Sequence, residues 1–417
     1  MELPYGEKKL IWNHGPCAVM TSRVDELTAG DGAALVAQAL SAPIGSAPLR
    51  ELAKGKKNAV LILSDHTRPV PSRDIVPAML AEMRAENPKI DITLLVATGF
   101  HRATTEAELE KKLGKEIFSR ERIVVHDCTD PEQNVTIGTL PSGGPCVIDK
   151  LAAETELLVS EGFIEPHFFA GFSGGRKSVL PGVSSRETVL ANHCGEFIAS
   201  EKARTGILEG NPIHRDMDAA AKMAKLAFIV NVVINEEKKT VAAFAGDPEK
   251  AHLEGCAYLR KFCGVKAIPG DIVVTTNGGA PLDQNLYQCV KSLTAAEASA
   301  NPGAVLILCA ECADGTGGEG FYRSLRDCES PAALYEEYCA VSADKTIPDQ
   351  WQSQILARIL MKHRVITVTR PEMADIVREM KMDYAPDLTA AMEMAKAAKG
   401  AEAAVTVIPN GISVIVE

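Results

Sequence analysis

Short runs of apolar and β-branched residues alternate with helical patterns along most of this chain, and that alternation restricts its fold more than any other feature. In the first half, residues 59–63, 92–96 and 123–125 have the composition of buried strands, and residues 74–84 have the apolar spacing of a helix. Regular strand–helix alternation is typical of a parallel sheet that is covered by helices. The sequence therefore predicts an α/β fold.

A second unit of the same class is predicted in the last third of the chain. A chain of 417 residues is long enough for more than one domain. Further strand patterns, each followed or preceded by a helical pattern, lie at residues 271–276, 304–308, 364–368 and 404–409. We predict two α/β domains with mainly parallel sheets flanked by helices, a cofactor-binding N-terminal domain at 1–268 and a C-terminal domain at 269–417. Small molecules commonly bind between domains, so we expect the active site in the interdomain cleft.

Charge and composition argue against several classes of partner. The net charge is −11 and no block of basic residues stands out, so non-specific binding of nucleic acid, which depends on neutralising phosphates, is not expected. No apolar run approaches the roughly 20 residues that are needed to cross a bilayer. The first residues lack the apolar core of a signal peptide, and the 11 cysteines are an odd, scattered set. We therefore expect reduced thiols and a cytoplasmic protein without membrane partners.

Polar residues follow the predicted strands, at the edge of an open α/β sheet where ligands bind. Arg68, three residues after Asp65, could bind a carboxylate or phosphate in bidentate fashion, or it could pair with Asp65 or a neighbouring acid for structure. His101 could act as a general acid or base because its pKa lies near neutrality, or it could bond a backbone carbonyl.

A glycine-rich loop at residues 162–177 contains His167 near its start and Lys177 at its end. Glycines let the backbone approach a ligand closely, and successive N–H groups can bind an anion. A lysine in this position could pair with phosphate or form a covalent bond. The alternative interpretation is a surface loop that leads into a basic helix. No G-x-G-x-x-G dinucleotide fingerprint follows the early strands and no P-loop is present, which disfavours common NAD and ATP classes.

Weaker candidates lie later in the chain. His193 follows a helical pattern, where it could be a favourable partner of the helix dipole or a metal ligand that needs a cofactor to supply the other donors. Gln288 and Lys291 share a helix face that Tyr287 can join, and that face could bind an oxyacid or simply face solvent. Trp351 could be a core aromatic residue or a platform for a ring.

As a set, these segments closely resemble the nickel-pincer nucleotide-dependent lactate racemase family, also called the 2-hydroxyacid racemases. The loop between Glu165 and Lys177 is the most specific part of the resemblance, and the order of the segments is collinear with the family. The matching segments are residues 64–69, 98–102, 165–171, 173–177, 191–193 and 287–291.

The resemblance implies an unusual cofactor. It is a pyridinium mononucleotide whose two sulfur-containing arms bind nickel through sulfur, carbon and sulfur. By resemblance, Lys177 is the covalent anchor, joined to one arm as a thioamide, and His193 completes the nickel coordination. The remaining residues expected to bind or adjoin the cofactor are Ser173, Gly174, Gly175, Arg176, Asp65 and Trp351.

The resemblance also implies a reaction, the inversion of C2 of a 2-hydroxy acid such as lactate or malate. A reversible hydride transfer to the nickel-pincer nucleotide would pass through a 2-keto acid, with His101 and His167 as the two bases. Arg68 and Lys291 would bind the substrate carboxylate, with Gln288 and Tyr287 beside it. The implied partners are the small-molecule substrate and the proteins that synthesise the cofactor.

Two other hypotheses remain open at this point. Lys177 could form an imine with a pyridoxal-type cofactor in the same loop, which would also need an acid for the ring nitrogen. Alternatively, the protein could carry the nucleotide cofactor without catalysis. The two expected bases and the carboxylate-binding residues argue against a carrier, which would not need them.

Overall fold

The computed structural model describes residues 1–235 and 237–417, and these residues form two compact units. We call them the N-terminal unit and the C-terminal unit. The N-terminal unit consists of Val24–Asn192 and Ile207–Phe262. The C-terminal unit consists of Met1–Arg23, His193–Gly206 and Cys263–Glu417.

The strands are numbered in chain order. They are β1 Glu2–Tyr5, β2 Lys8–Ile11, β3 Ala18–Val19, β4 Asn58–Ser64, β5 Asp91–Ala97, β6 Arg122–Val125, β7 Asn134–Thr139, β8 Pro145–Asp149, β9 Leu158–Phe163, β10 Pro166–His167, β11 Gly171–Phe172, β12 Leu226–Ile234, β13 Thr240–Gly246, β14 Gly264–Val265, β15 Gly270–Thr276, β16 Ala300–Cys309, β17 Arg364–Val368, β18 Asp383–Ala385, β19 Val405–Ile408 and β20 Ile415–Val416.

The α-helices are numbered in the same way. They are α1 Gly32–Ser41, α2 Leu49–Ala53, α3 Ser72–Ala85, α4 Glu106–Leu113, α5 Lys115–Arg120, α6 Lys150–Glu154, α7 Arg186–Asn192, α8 Gly195–Ala199, α9 Pro212–Met223, α10 Lys250–Cys263, α11 Leu286–Ala298, α12 Glu319–Asp327, α13 Pro331–Ala340, α14 Gln350–Lys362, α15 Ala374–Glu379 and α16 Leu388–Lys399. Short 3₁₀ helices lie at Val24–Glu26, Gly175–Ser178, Ala343–Lys345, Pro371–Met373 and Gly411–Ser413.

The N-terminal unit is built on a sheet with the strand order β13-β12-β9-β4-β5-β6. Its strands are parallel except for the antiparallel pair of β12 with the edge strand β13. One face packs against α1, α2 and α3 through fully buried side chains such as Leu61, Leu94 and Met79. Burying an aliphatic side chain of this size contributes about 1.5–3 kcal/mol, so this interface holds the sheet and its loops in place.

The C-terminal unit is built on a parallel sheet with the order β18-β17-β16-β15-β19-β3. Its core includes Ile272, Ile307 and Val407 from the strands and Ala391 from α16. The strands predicted at residues 271–276, 304–308, 364–368 and 404–409 correspond to β15, β16, β17 and β19. The predicted fold class, two α/β domains with mainly parallel sheets, is confirmed.

The chain crosses between the units more than once. Residues 1–23 and 193–206 belong to the C-terminal unit, together with the chain from Cys263 onward. The division after residue 268 stays a prediction, and a single cut does not describe these two exchanged segments. No helix in the described ranges is long and apolar enough to span a membrane.

Candidate functional site

Loops that carry the predicted residues leave one edge of the N-terminal sheet. In the register of β4 and β5, Ser64 is paired with Ala97, and β9 runs parallel beside β4. Asp65 therefore follows β4, the segment to His101 follows β5 and the segment to His167 follows β9 at the same carboxyl edge. The sequence predicted this edge as the ligand-binding side of the sheet.

Asp65 and His101 form the most direct contact in the site. His101 Nδ1 lies 2.6 Å from Asp65 Oδ2 and 3.2 Å from the hydroxyl of Thr67. Because a carboxylate only accepts, Nδ1 carries the hydrogen and Nε2 of a neutral ring keeps its lone pair. The side chain of Asp65 is 1% exposed and that of His101 is 42% exposed. The buried acid thus orients a ring whose other nitrogen can take a proton.

The carboxylate of Asp65 is held in its charged form. Burial alone works in the opposite direction, but hydrogen bonds from His101 and Thr67 and the charges of His101 and Arg68 lower the pKa of Asp65 below its usual value. Thr67 donates to Asp65 Oδ1 through its hydroxyl at 2.7 Å and its amide at 3.2 Å. An ionised Asp65 keeps the imidazole in one tautomer and stabilises it when it becomes protonated.

Arg68 is half-buried on the same loop, and its main chain is well anchored. Its amide donates to Asp65 O at 3.3 Å, and its carbonyl accepts from Lys112 Nζ at 3.2 Å. Within the part of the chain that the structure describes, its guanidinium makes no hydrogen bond or ion pair. The structural alternative, a direct pair with Asp65, is therefore absent from the described residues, and the guanidinium remains available to an anionic ligand.

His167 lies in the small hairpin of β10 and β11. Its Nδ1 accepts from the amide of Ala170 at 3.3 Å, so the hydrogen of a neutral ring is on Nε2. The ring stacks on Phe168 with centroids 5.2 Å apart and meets Phe169 edge-on at 4.5 Å. Gly171 closes this turn with φ +79°, and a Cβ there would lie 2.4 Å from the carbonyl oxygen of Ile207. The hairpin therefore fixes the imidazole from both sides.

Lys177 lies in the 3₁₀ helix Gly175–Ser178, half-buried, with Nζ 5.9 Å from the centroid of the Phe169 ring. Gly182 donates to the carbonyl of Lys177 at 3.1 Å, and the carbonyl of Gly182 accepts from the amide of Gly99 at 3.0 Å. These bonds tie the segment after Lys177 to the loop that carries His101. The predicted anchor and the predicted base thus belong to one hydrogen-bonded arrangement of loops.

The loop before Lys177 uses most of its polar groups internally. Ser173 donates its hydroxyl to Phe163 O at 2.9 Å and its amide to Glu165 O at 2.9 Å. The amide of Gly175 donates to Asn231 Oδ1 at 2.7 Å. The proposed contact of Ser173, Gly174 and Gly175 with a nucleotide phosphate stays a prediction; the amides of Ser173 and Gly175 already donate to protein acceptors.

Arg176 stabilises this loop through hydrogen bonds of its side chain. It is buried, and its Nη2 donates to the carbonyl of Ala170 at 2.8 Å, while Nη1 lies 3.0 Å from His252 Nε2. Its Nε is buried without a hydrogen-bond partner in the described ranges. Burial lowers the pKa of Arg176 to about 10. A cofactor contact for Arg176 also stays a prediction, since most of its donors face protein groups.

In the C-terminal unit, His193 and Trp351 pack against each other. His193 lies between α7 and α8, is 5% exposed, and its ring centroid is 5.1 Å from that of Trp351 at an interplanar angle of 62°. A single imidazole supplies one nitrogen to a metal, so a nickel ion here would take its other donors from a cofactor. The role of His193 as a nickel ligand and the role of Lys177 as a covalent anchor both stay predictions.

The face of α11 carries Tyr287, Gln288 and Lys291, each half-buried. Burial raises the pKa of Tyr287 well above its usual value, the charge of Asp349 adds to this, and a hydrogen bond with Trp351 acts in the other direction. Asp349 has φ +66° at the start of α14, a conformation that costs energy for a residue with a side chain. Tyr287 is therefore linked to Trp351, the residue that packs on His193.

Sequence reasoning missed several residues that shape the site. Glu161 is buried in β9, which pairs with β4, the strand that ends just before Asp65. Thr67 hydrogen-bonds to both Asp65 and His101. Lys112 donates to the main-chain carbonyl of Arg68. An acidic residue inside an apolar strand was the one visible signal, because buried charges are rare unless they are paired.

Comparison with known protein families gives matches over both halves of the chain. The lactate racemase N-terminal domain matches residues 8–206, and the lactate racemase C-terminal domain matches residues 265–416. The lactate racemase of Thermoanaerobacterium thermosaccharolyticum is 51% identical over 429 residues, covering 100% of this chain and 99% of the relative. The lactate racemase of Lactiplantibacillus plantarum is 54% identical over 382 residues, covering 92% and 90%.

Comparison with solved structures also gives a lactate racemase. The lactate racemase apoprotein from Thermoanaerobacterium thermosaccharolyticum superimposes with a TM-score of 0.96 at 51% identity, covering 100% of this chain and 99% of that one. A Thermotoga maritima protein superimposes with a TM-score of 0.66 at 20% identity, covering 94% and 100%. The second likeness is evidence for the fold alone.

Proposed function

We propose, from the premise that this chain belongs to the lactate racemase family and is an isomerase, that it inverts C2 of lactate or a related 2-hydroxy acid. The mechanism we propose is the reversible transfer of the C2 hydrogen as hydride, with a planar 2-keto acid between the two enantiomers. Direct removal of that hydrogen as a proton is difficult because it is very weakly acidic. Hydride transfer avoids the carbanion.

The observation that carries this proposal is the Asp65–His101 pair at the carboxyl edge of the N-terminal sheet. Hydride can leave C2 only as the hydroxyl proton is removed, so the reaction needs a positioned base. His101 offers Nε2 for that proton, while its Nδ1 is held at 2.6 Å by an ionised Asp65.

His167 is suited to the complementary proton transfer. Its Nδ1 accepts a backbone hydrogen bond, which places the hydrogen of the neutral ring on Nε2, the reverse of the arrangement in His101. We assign to His167 the proton transfer for the opposite enantiomer; as an acid it would donate from the protonated ring, because a neutral imidazole that lost its Nε2 hydrogen would be left as imidazolate. A racemase needs both a base and an acid, because the hydroxyl of one enantiomer is deprotonated and the carbonyl of the keto acid is then protonated to form the other.

Arg68 is the group in the N-terminal unit that we assign to the substrate carboxylate. Its guanidinium is half-buried and has no protein acceptor in the described ranges, and its planar fork matches a carboxylate. We assign Lys291 to the same carboxylate and Gln288 and Tyr287 to its orientation. The resemblance to the family supports these three assignments.

We propose that the implied nickel-pincer nucleotide is held covalently by Lys177 and through nickel by His193. When bound, this group would accept the C2 hydride and return it. The chain's own residues bind the acid, orient it and move the hydroxyl proton. Trp351, packed on His193, would keep the imidazole ring in a fixed orientation, as partners of metal-binding histidines commonly do.

A chiral assay tests the proposal. Protein produced together with the cofactor pathway, and shown by intact mass to carry the cofactor, is incubated with single enantiomers of lactate, malate and longer 2-hydroxy acids. We expect the opposite enantiomer of lactate to appear, and the fastest substrate would define the specificity. Loaded protein that inverts none of these compounds would contradict the proposal and favour a carrier. Absorbance that borohydride removes, without nickel, would favour a pyridoxal-type imine.

A further inference from the structure

Glu161 is a buried carboxylate whose acceptor contacts all converge on one loop. It lies in β9 and is 3% exposed. Its Oε1 accepts from the amide of Ser64 at 3.2 Å, the hydroxyl of Ser64 at 3.0 Å and the hydroxyl of Ser72 at 2.8 Å. Burying a carboxylate is costly unless its oxygens are satisfied. These contacts satisfy Oε1, whereas Oε2 is buried without a hydrogen-bond partner in the described residues.

The two serines mark the two ends of the loop that carries Asp65 and Arg68. Ser64 is the last residue of β4, immediately before Asp65, and Ser72 is the first residue of α3. A single oxygen atom of Glu161 thus joins both ends of the loop to the neighbouring strand. The same strand continues into the segment that carries His167, so the loop is fixed relative to the next element of the site.

Lys112 holds the middle of this loop from α4. Its Nζ donates to the carbonyl of Arg68 at 3.2 Å. Burial lowers the pKa of Lys112, while the negative charges of Glu161 and Asp65 counteract that effect. Lys112 therefore also compensates part of the negative charge that the two acids bring into this region.

We propose that Glu161, assisted by Lys112, is a positioning residue for the reaction, acting as a clamp that holds Asp65 against His101 and Arg68 toward the substrate carboxylate. Glu161 does not contact the reacting atoms, because both of the residues it binds lie outside the proposed catalytic set. The part of this inference that concerns turnover rests on the proposed function. The part that concerns the loop does not.

Matched variants separate the clamp from a general structural role. Glu161→Ala removes the acceptor, whereas Glu161→Gln keeps a carbonyl oxygen for the serines and replaces the other oxygen by a neutral amide group. Ser72→Ala removes one hydrogen bond at the far end of the loop and serves if Glu161→Ala does not fold. In protein without cofactor, hydrogen exchange is followed by mass spectrometry on peptides that contain residues 64–72. In loaded protein, kcat and KM are measured for the inverted 2-hydroxy acid.

We expect Glu161→Ala to exchange faster in residues 64–72 and to lose roughly 100-fold in kcat/KM, since a misplacement of about 1 Å can cost that much. The kcat/KM of Glu161→Gln should stay within about threefold of that of the parent, and the kcat/KM of Ser72→Ala should lie between those of the two Glu161 variants. Exchange that is unchanged in Glu161→Ala and Ser72→Ala would overturn the proposal. So would faster exchange with unchanged kinetics, or a glutamine variant as poor as the alanine variant.

The hydrogen-exchange and kinetic measurements distinguish a failure of this inference from a failure of the proposed function. If loaded parent protein inverts no 2-hydroxy acid, the proposed function fails, but the exchange of residues 64–72 still decides whether Glu161 fixes the loop. If the parent is active and the exchange of Glu161→Ala matches the parent, the clamp fails while the proposed function stands.

Discussion

A 2.6 Å hydrogen bond joins the exposed imidazole of His101 to the buried carboxylate of Asp65. The bond sets which nitrogen of the ring carries its hydrogen, and it ties a loop after β5 to a loop after β4. The chemical role proposed for His101 therefore depends on a residue that need not touch the substrate.

Replacing Asp65 tests that dependence. Asp65→Asn keeps the shape, but its amide group can donate to Nδ1 and so stabilise the tautomer with the hydrogen on Nε2. We expect kcat to fall roughly 10²–10⁴-fold, the range associated with loss of a general base or of the residue that orients it. Cofactor content, measured by intact mass, should be unchanged. Thr67→Val is the matched control, because it removes a hydroxyl bound to the same pair and should cost much less. Equal losses in both variants would contradict the assigned role.

Lys177→Arg tests the covalent anchor. The guanidinium keeps a positive charge near Phe169 but is not an effective nucleophile for thioamide formation, so no cofactor mass should remain on the denatured variant. Intact mass spectrometry of protein produced with the cofactor pathway makes the measurement. Lys111→Ala, at an exposed position on α4, should keep the full cofactor mass. Retention of that mass by Lys177→Arg would place the attachment elsewhere.

Arg68→Ala tests carboxylate binding. We expect KM to rise roughly 10- to 100-fold, because a charged hydrogen bond contributes about 1.5–3 kcal/mol. Arg68→Lys should recover only part of this, since an ammonium group lacks the planar fork. Steady-state kinetics with both enantiomers provide the measurement, and Arg120→Ala, which removes a surface ion pair with Glu116, is the control. An unchanged KM in Arg68→Ala would make the arginine structural.

His214 gives a prediction about stability and pH. Burial, followed by the positive charge of Arg176, lowers the pKa of His214 from 6.5 to about 4. Above pH 6.5 the ring is neutral in both states. As pH falls from about 6.5 to 4, the unfolded chain binds a proton that the folded chain does not, so the free energy of unfolding decreases, by up to about 1.4 kcal/mol per pH unit. Below about pH 4 both states carry the proton, and the loss in the free energy of unfolding stays constant.

Urea unfolding at several pH values between 4 and 7 measures this effect. His214→Gln removes the titrating group, so its stability should fall less steeply with acidification than that of the parent. His252, which burial also keeps neutral, titrates in the same sense and stays in both proteins. Parallel pH profiles of the parent and His214→Gln would contradict the prediction.

The fold and one edge of the site could be predicted because they follow from short-range patterns. Strand runs followed by polar residues placed Asp65, Arg68 and His101 at one sheet edge, and the structure has them there. The antiparallel edge strand β13 was not anticipated, because a short strand after β12 carries no signal of its direction.

Other features depend on contacts that no local pattern encodes. The glycines before Lys177 were expected to leave amides for an anion, yet Gly175 lies where a Cβ would be 2.7 Å from the ring of His252, and its amide binds Asn231. Both partners come from distant parts of the chain. Glu161 was missed for the same reason, since its serine partners are nearly a hundred residues away in sequence.

The path of the chain between the two units has a consequence for biosynthesis. Strand β3, at Ala18–Val19, pairs with β19, at Val405–Ile408, and residues 193–206 belong to the same unit as both. The ribosome must therefore synthesise the chain as far as β19 before the sheet of the C-terminal unit can be completed. Strand β3 therefore has no partner in the nascent chain until β19 has been made, and unpaired strand edges of this kind are what makes folding intermediates prone to aggregate.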